Sequence, residues 1–251
     1  MKFICEKEKL MIGLNTVSRS SVSRTTTPIL DGILINVTNE EIILTTNDSE
    51  IGMECKIEYI EAKEIGKTVV DCKMFGDIIR KLPNGEITIY VNEKNLLVIE
   101  CEGSIYKLST LNANEFPTLP TINVEKSIQV SSKVLKELIK KTIFAISMEE
   151  NRPVFTGSLF EVKEDLLNVV SVDGFRLALR KALVTDASND FSAIVPGKYL
   201  NEIVKNLQET DDLVKIGTAK NQALFELPTC KVVTRLLEGE FLNYHNVIPK
   251  E

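Results

Sequence analysis

Residues 171–179 read Ser-Val-Asp-Gly-Phe-Arg-Leu-Ala-Leu, an apolar run that breaks at Asp173-Gly174 and then resumes in alternation. Asp-Gly between β-prone segments is a strong short-range sign of strand, turn, strand, because both residues tolerate the positive φ that a tight hairpin turn demands. The alternation puts Phe175 and Leu177 on one side and Arg176 and Ala178 on the other. A loop that offers an aromatic ring and a guanidinium together is a usual place for a partner to dock. The stretch 125 residues earlier, Thr46-Asn47-Asp48-Ser49-Glu50-Ile51-Gly52, keeps the turn aspartate and lacks Phe-Arg-Leu.

The same offset runs along the chain. Pro28 matches Pro153, Gly32 matches Gly157 and Asp48 matches Asp173; Lys73, Ile78, Leu82 and Phe116 return as Lys198, Ile203, Leu207 and Phe241. A constant offset of 125 that pairs Pro with Pro and Gly with Gly marks a duplication, since coincidental patterning would let the offset drift. Helices are expected at 6–19 (Leu10, Leu14, Val17), 72–82, 132–147 (Leu135, Leu138, Ile139, Thr142) and 197–208, where apolar residues recur at helical spacing. Pro83-Asn84-Gly85 closes the second of them. Strand patterns fill 29–37, 41–46, 51–60, 67–70, 86–91, 95–101 and 104–111, and again 213–217, 221–227 and 230–237. Residues 20–27 and 148–153 read as exposed loops, and Pro117 to Ser127 as a linker or an extended crossing strand. The expected class is α+β: two tandem domains, each with two helices and about eight strands packed as antiparallel sheets.

Composition narrows the function classes. A chain of 251 residues with 43% hydrophobic residues and mean hydropathy near zero holds ordinary cores, and no run approaches a membrane span or the apolar region of a signal peptide. A cytoplasmic protein is expected. Cys5, Cys55, Cys72, Cys101 and Cys230 are scattered and never form Cys-x-x-Cys, which argues for reduced, buried thiols over disulfides or zinc. Cys72 falls where a helix start would favour a thiolate, but no histidine accompanies it.

The net charge of −6 speaks against nucleic acid only until the charges are placed. The four helices carry an excess of seven basic side chains, leaving −13 for everything else. Lys133, Lys136 and Lys140 fall on the side away from Leu135, Leu138 and Thr142, with Lys141 beside them. Lys73 and Arg80 form one stripe, repeated as Lys198 and Lys205. One basic stripe is usually a solvated face; recurrence in both copies points to a sequence-independent hold on phosphates. Acidic strands elsewhere would repel DNA and leave the helix face attractive.

Catalytic constellations are not found. His245 stands alone, Asp48 and Asp173 are turn residues rather than a carboxylate dyad, and Gly103, Gly157 and Gly174 are isolated, with nothing like Gly-x-x-x-x-Gly-Lys. An enzyme is therefore not expected, nor a metal or cofactor.

Met1-Lys2-Phe3, Thr27-Pro28-Ile29-Leu30-Asp31-Gly32, Ser109-Thr110-Leu111 through Phe116-Pro117, Arg152-Pro153-Val154-Phe155-Thr156-Gly157 and Asp173-Gly174-Phe175-Arg176-Leu177 together resemble the bacterial DNA sliding clamp, the beta subunit of DNA polymerase III. The resemblance implies a non-catalytic processivity factor built from three such domains, whose helices line a channel and whose sheets lie outside. Two subunits then join head to tail around duplex DNA. Clamp domain I is expected over 1–120 and domain II over 127–251, with the family's third domain, and hence its subunit contact with the first, absent. By position the resemblance assigns DNA contacts to Arg24, Lys73, Arg80, Lys136, Lys140, Lys141, Arg152, Lys198 and Lys205. It assigns a pocket for short peptide motifs of the replicative polymerase alpha subunit, the clamp loader and repair proteins to Phe155, Val172, Gly174, Phe175, Arg176, Leu177, Leu242 and Val247. Val172, Leu242 and Asn246 stand where the family commonly has threonine, proline and arginine. Chemically, Phe155, Val172, Leu177 and Val247 offer a hollow for a leucine or phenylalanine side chain, and Arg176 a cap for a carbonyl or a polar side chain. A two-domain adaptor that never encloses DNA would account for the hairpin but would not need basic stripes on both copies.

Overall fold

A computed structural model describes residues 1–20, 27–119, 126–149 and 151–249. The chain divides into two compact units, Met1–Pro120 with Thr229–Val232 and Thr121–Pro228 with Val233–Glu251.

The first unit runs β1 (Lys2–Glu6), α1 (Lys7–Val17), β2 (Gly32–Val37), β3 (Ile42–Asn47), β4 (Ile51–Ile57), β5 (Glu61–Glu64), β6 (Gly66–Asp71), α2 (Cys72–Lys81), β7 (Glu86–Val91), β8 (Leu96–Cys101) and β9 (Ser104–Ser109). Its strands form two antiparallel layers, ordered β5-β1-β7-β8-β9 and β4-β3-β2-β6. The second unit repeats this with β10 (Lys126–Ser131), α3 (Ser132–Lys140), β11 (Gly157–Lys163), β12 (Leu166–Val172), β13 (Leu177–Leu183), β14 (Phe191–Pro196), α4 (Gly197–Asn206), β15 (Leu213–Ala219), β16 (Gln222–Glu226) and β17 (Cys230–Arg235). Its orders are β13-β12-β11-β14 and β10-β15-β16-β17. The boundaries of β6 and α2 reappear in β14 and α4 with the offset of 125 intact.

Packing explains the repeated residues. A Cβ on Gly32 would lie 2.5 Å from Val69 Cγ1, and one on Gly157 would lie 2.6 Å from the Val195 carbonyl oxygen, so both strands start where only glycine fits. Pro28 and Pro153 each open a one-turn 3₁₀ segment that leads into that glycine, a place where the lost N–H costs nothing. Helix α2 starts with the Asp71 carboxylate accepting from Met74 N at 2.6 Å, and it buries Cys72, Phe75 and Ile79. Within each unit the two helices lie side by side, α1 with α2 and α3 with α4.

Several boundaries differ from the periodicity. The helix expected over 132–147 ends at Lys140, and 143–145 form a separate 3₁₀ turn. Thr142 is buried and its hydroxyl donates back to Leu138 O (2.8 Å) and Ile139 O (3.2 Å), capping the helix where its apolar spacing alone would continue it. The strand expected from 29 begins only at Gly32, and the one expected to reach 60 stops at Ile57 and turns into the short, unexpected β5. Most of the expected linker, 120–125, lies outside the described residues.

Candidate functional site

Strands β12 and β13 meet at Val172↔Leu177, so the whole stretch Asp173–Arg176 is the connection. Alternation begins only at Leu177, which corrects the expectation that Phe175 and Arg176 occupy opposite strand faces: both sit in the loop. Asp173 organises it. One carboxylate oxygen accepts the main-chain N–H groups of Phe175 and Arg176, each at 3.0 Å, and the other accepts Arg176 Nε at 2.8 Å. The two main-chain donors hold the Asp173 carboxyl below the usual aspartate range. Gly174 takes φ +96°, and Phe175 is fully exposed at the tip. The first copy builds the same turn: Asp48 Oδ1 accepts from Glu50 N (2.9 Å) and Ile51 N (2.7 Å). Turn geometry thus accounts for both aspartates.

Behind the loop, Leu177 packs half-buried against Leu159, Val170, Ile194 and Tyr244, together with Val154, Leu179, Leu237 and Phe241. Phe155 meets Phe241 edge-on, centroids 5.7 Å apart, and the Arg152 guanidinium lies 6.0 Å over the Phe155 ring. This joins a residue expected on DNA to one expected on a peptide. Val172, expected as a wall, is 4% exposed, so it supports the hollow from within β12. Leu242 and Val247 are substantially exposed on either side of the 3₁₀ turn Tyr244–Asn246. That turn is pinned from below. The Tyr244 side chain is buried and its hydroxyl donates to Glu161 Oε2 on β11; Glu161 also receives Lys163 (3.3 Å) and Asn168 Nδ2 (3.4 Å). Burial tends to raise the Glu161 carboxyl, but the donors from Tyr244, Lys163 and Asn168 outweigh it and leave it below the usual range, while burial and the Glu161 acceptor push the Tyr244 phenol up. Leu159, Ile194, Phe241, Leu242 and Tyr244 line a cavity of about 690 Å³ together with Glu161, Lys163, Lys220, Glu238 and Glu240; of the residues expected in the peptide pocket, Leu242 is among its lining and Phe155, Val172, Gly174, Phe175, Arg176, Leu177 and Val247 are not.

Sequence reading missed Val154, Leu179, Phe241, Tyr244 and Glu161. Two left a signal: Leu179 is the next inward residue of the alternation after Leu177, and Phe241 repeats the buried Phe116. Tyr244 and Glu161 lie 83 residues apart and left none.

On the helices, Lys73, Lys133 and Lys140 are exposed and form no ion pair among the described residues. Lys198 lies 5.2 Å over its neighbour Tyr199. Arg80 pairs with Asp77 at 2.8 Å, and at the equivalent positions Lys205 pairs with Glu202 at 2.7 Å. Lys141 pairs with Glu137. These pairs are solvent-exposed, hence weak. Lys136 departs from the expected row of mobile cations: its side chain is 19% exposed and its ammonium lies 3.5 Å from Glu209. Arg24 lies outside the described residues.

The other chemistry is structural. All five cysteines are buried and outside any disulfide; burial raises Cys5 and Cys230 to about 12 and Cys55 to about 11. His245 lies 3.9 Å from Glu161 with its ring against Tyr244. Among the described residues no three His, Cys, Asp or Glu side chains gather as a metal site, and no helix is long and apolar enough to cross a membrane.

Two family models match the chain: the N-terminal domain of the DNA polymerase III beta subunit over residues 1–120 and its central domain over 129–243. The chain belongs to the DNA polymerase III beta subunit family, the beta sliding clamps. It is 38% identical to the beta sliding clamp of Halalkalibacterium halodurans over 261 residues, covering all of this chain and 69% of that protein. The Staphylococcus epidermidis clamp is 36% identical over 257 residues, with 68% of it covered. Among solved structures, the Bacillus subtilis DNA polymerase sliding clamp aligns with a TM-score of 0.94 at 33% identity, over the whole chain and 68% of that clamp. The Pseudomonas aeruginosa clamp bound to griselimycin aligns with a TM-score of 0.95 at 29% identity, again over the whole chain and 68% of that clamp. The family fold is thus two clamp domains here, spanning about two thirds of the relatives' length.

Proposed function

We propose that the protein acts as a DNA polymerase processivity factor whose basic helix face holds duplex DNA without reading its sequence, while the hollow beside the Asp173 turn tethers replication and repair proteins by short peptides. The observation that carries this reading is the recurrence, at one offset, of Lys73 with Arg80 and Lys198 with Lys205 on exposed faces of α2 and α4, opposite the apolar faces that pack on the sheets. Exposed cations with weak local partners contribute phosphate attraction and no base readout. In this reading the protein works in the cytoplasm, on chromosomal DNA.

The edge of the first unit supports the head-to-tail contact expected of a full-length family member. Strand β9 ends its sheet, with Ile105 60% and Tyr106 41% exposed beside a groove that includes Met74 and Ile78. An apolar, unpaired strand edge is what a neighbouring sheet needs for continuation.

Replacing Lys73, Lys140 and Lys198, all exposed, together by glutamine tests the channel face. Loading onto and retention on closed circular DNA should fall, with the salt slope of duplex binding reduced by about 0.9 for each phosphate no longer neutralised, and peptide binding should be unchanged. Unchanged retention would remove the helices from the DNA interface.

A further inference from the structure

Pro83-Asn84-Gly85, the turn between α2 and β7, holds the chain's one Asn-Gly pair. The turn is fixed at both ends. Leu82 is buried, its N–H donates to Ile78 O (3.2 Å) and Ile79 O (3.3 Å), and its carbonyl accepts from the Lys7 ammonium. Gly85 O accepts from Lys7 N at 2.9 Å. Between these anchors Asn84 and Gly85 are exposed, and neither the Asn84 side chain nor the Gly85 N–H has a hydrogen-bond partner among the described residues. Gly85 takes φ +143°, and a Cβ built there would meet nothing closer than Glu102 Oε1 at 4.0 Å.

An asparagine placed in this way is open to attack by its own main chain. The Gly85 nitrogen forms a bond to the Asn84 side-chain carbonyl carbon, the bond from that carbon to the side-chain nitrogen breaks, and ammonia leaves with the proton of the Gly85 amide. Water then opens the cyclic imide at either carbonyl and gives aspartate or isoaspartate, with no change of oxidation state. A side chain on the following residue would crowd the attack, and a hydrogen bond would hold the nitrogen back; Gly85 has neither. Asn47 is the contrast: it is buried, and its side chain is tied to Pro117 O and Ser49 N.

The second copy shows what a carboxylate does at this place. At the offset of 125 Asn84 becomes Glu209, two residues past Leu207 as Asn84 is two past Leu82. The Glu209 carboxylate lies 3.5 Å from the ammonium of Lys136 on α3, the half-buried cation of the helix face. In the first copy the new charge would follow Arg80 and Lys81, the basic last turn of α2, and lie in the turn that holds Lys7. A negative charge at a helix C-terminus also opposes the helix dipole.

We infer that Asn84 is a site of deamidation, with water as the only co-reactant, and that its conversion to a carboxylate weakens the hold of the α2 face on phosphates. That weakening rests on the DNA-holding reading above; the modification itself does not.

The test incubates the 251-residue protein in mildly alkaline buffer beside the Asn84→Gln variant and digests both for peptide mass spectrometry. The peptide holding residue 84 should gain the mass of an amide-to-acid change before any other asparagine peptide does. It should then accept a methyl group from S-adenosylmethionine through an isoaspartyl carboxyl methyltransferase, and the variant should do neither there. Another asparagine converting first, or an intact Asn84 after incubation, overturns the site. Asn84→Asp supplies the charge without lengthening the main chain. It should bind duplex about two- to threefold more weakly than Asn84→Gln at low salt, a difference lost at high salt. Incubated parent protein should approach the Asn84→Asp value in proportion to the fraction converted. Conversion with unchanged duplex binding overturns the effect on α2 and leaves the site standing. Duplex binding by none of the proteins overturns the DNA-holding reading and the effect on α2 with it, while the masses still decide the site.

Discussion

The second copy carries Leu177 where the first has Gly52, and the first copy fills that place with its own chain. A Cβ on Gly52 would lie 1.9 Å from Leu119 Cδ2, and Asn47 Nδ2 donates to Pro117 O at 3.2 Å, so the segment after β9 is pressed onto the β3–β4 hairpin. At the offset of 125, these four residues become Leu177, Tyr244, Val172 and Leu242. Valine cannot make the asparagine's hydrogen bond. Tyr244 instead sends its side chain down to Glu161, where the first copy has Asn36. The second segment is therefore anchored from beneath, and Leu242 and Val247 remain at the surface. One scaffold thus holds the equivalent segment in two ways, pressed onto the β3–β4 hairpin in the first copy and anchored on β11 in the second.

The sharpest way to break this comparison is to give the second loop the residues of the first. Phe175→Glu with Arg176→Ile should lower the affinity for a Leu-Phe peptide about thirtyfold, roughly the 2 kcal/mol of an interface hot spot. Circular dichroism should be unchanged, because the Asp173 turn remains; affinity within about threefold of the parent would mean that the loop is not the dock. Tyr244→Phe removes the anchor without changing shape. Urea unfolding should show a loss of about 1.5–3 kcal/mol, the range for a hydrogen bond to a charged group, and no loss would mean that the segment is held by packing alone. The smallest effect is a titration. Because main-chain donors depress the Asp173 carboxyl, its contribution to loop order is complete above the unfolded value of about 3.9 and is lost as pH falls through the lower folded value. The amide resonances of Phe175 and Arg176 should report that midpoint, and one at or above the unfolded value would count against the turn geometry.

Local and periodic features are legible in the chain itself. The offset of 125 shows in single residues such as Pro28, Gly32 and Asp48, each tied to a turn or a close contact that tolerates few residue types. Helix spacing locates α2 and α4 within a residue or two. It overruns α3, because Thr142 bonds back to the helix carbonyls and ends it, a contact that hydrophobic spacing does not encode. Basic stripes are visible as composition, yet the pairing of half-buried Lys136 with Glu209 is not, since its partner sits 73 positions away on another segment.

The duplication, the α+β class, the aspartate turns and the pairing of basic positions across copies are all readable from the residues alone, because each depends on neighbours along the chain or on a fixed repeat. The fold alone brings Leu119 onto Gly52, Tyr244 onto Glu161 and Phe144 beneath Arg176. Those contacts join residues tens of positions apart, and their partners are selected by the volume and the unpaired polar atoms that folding brings together.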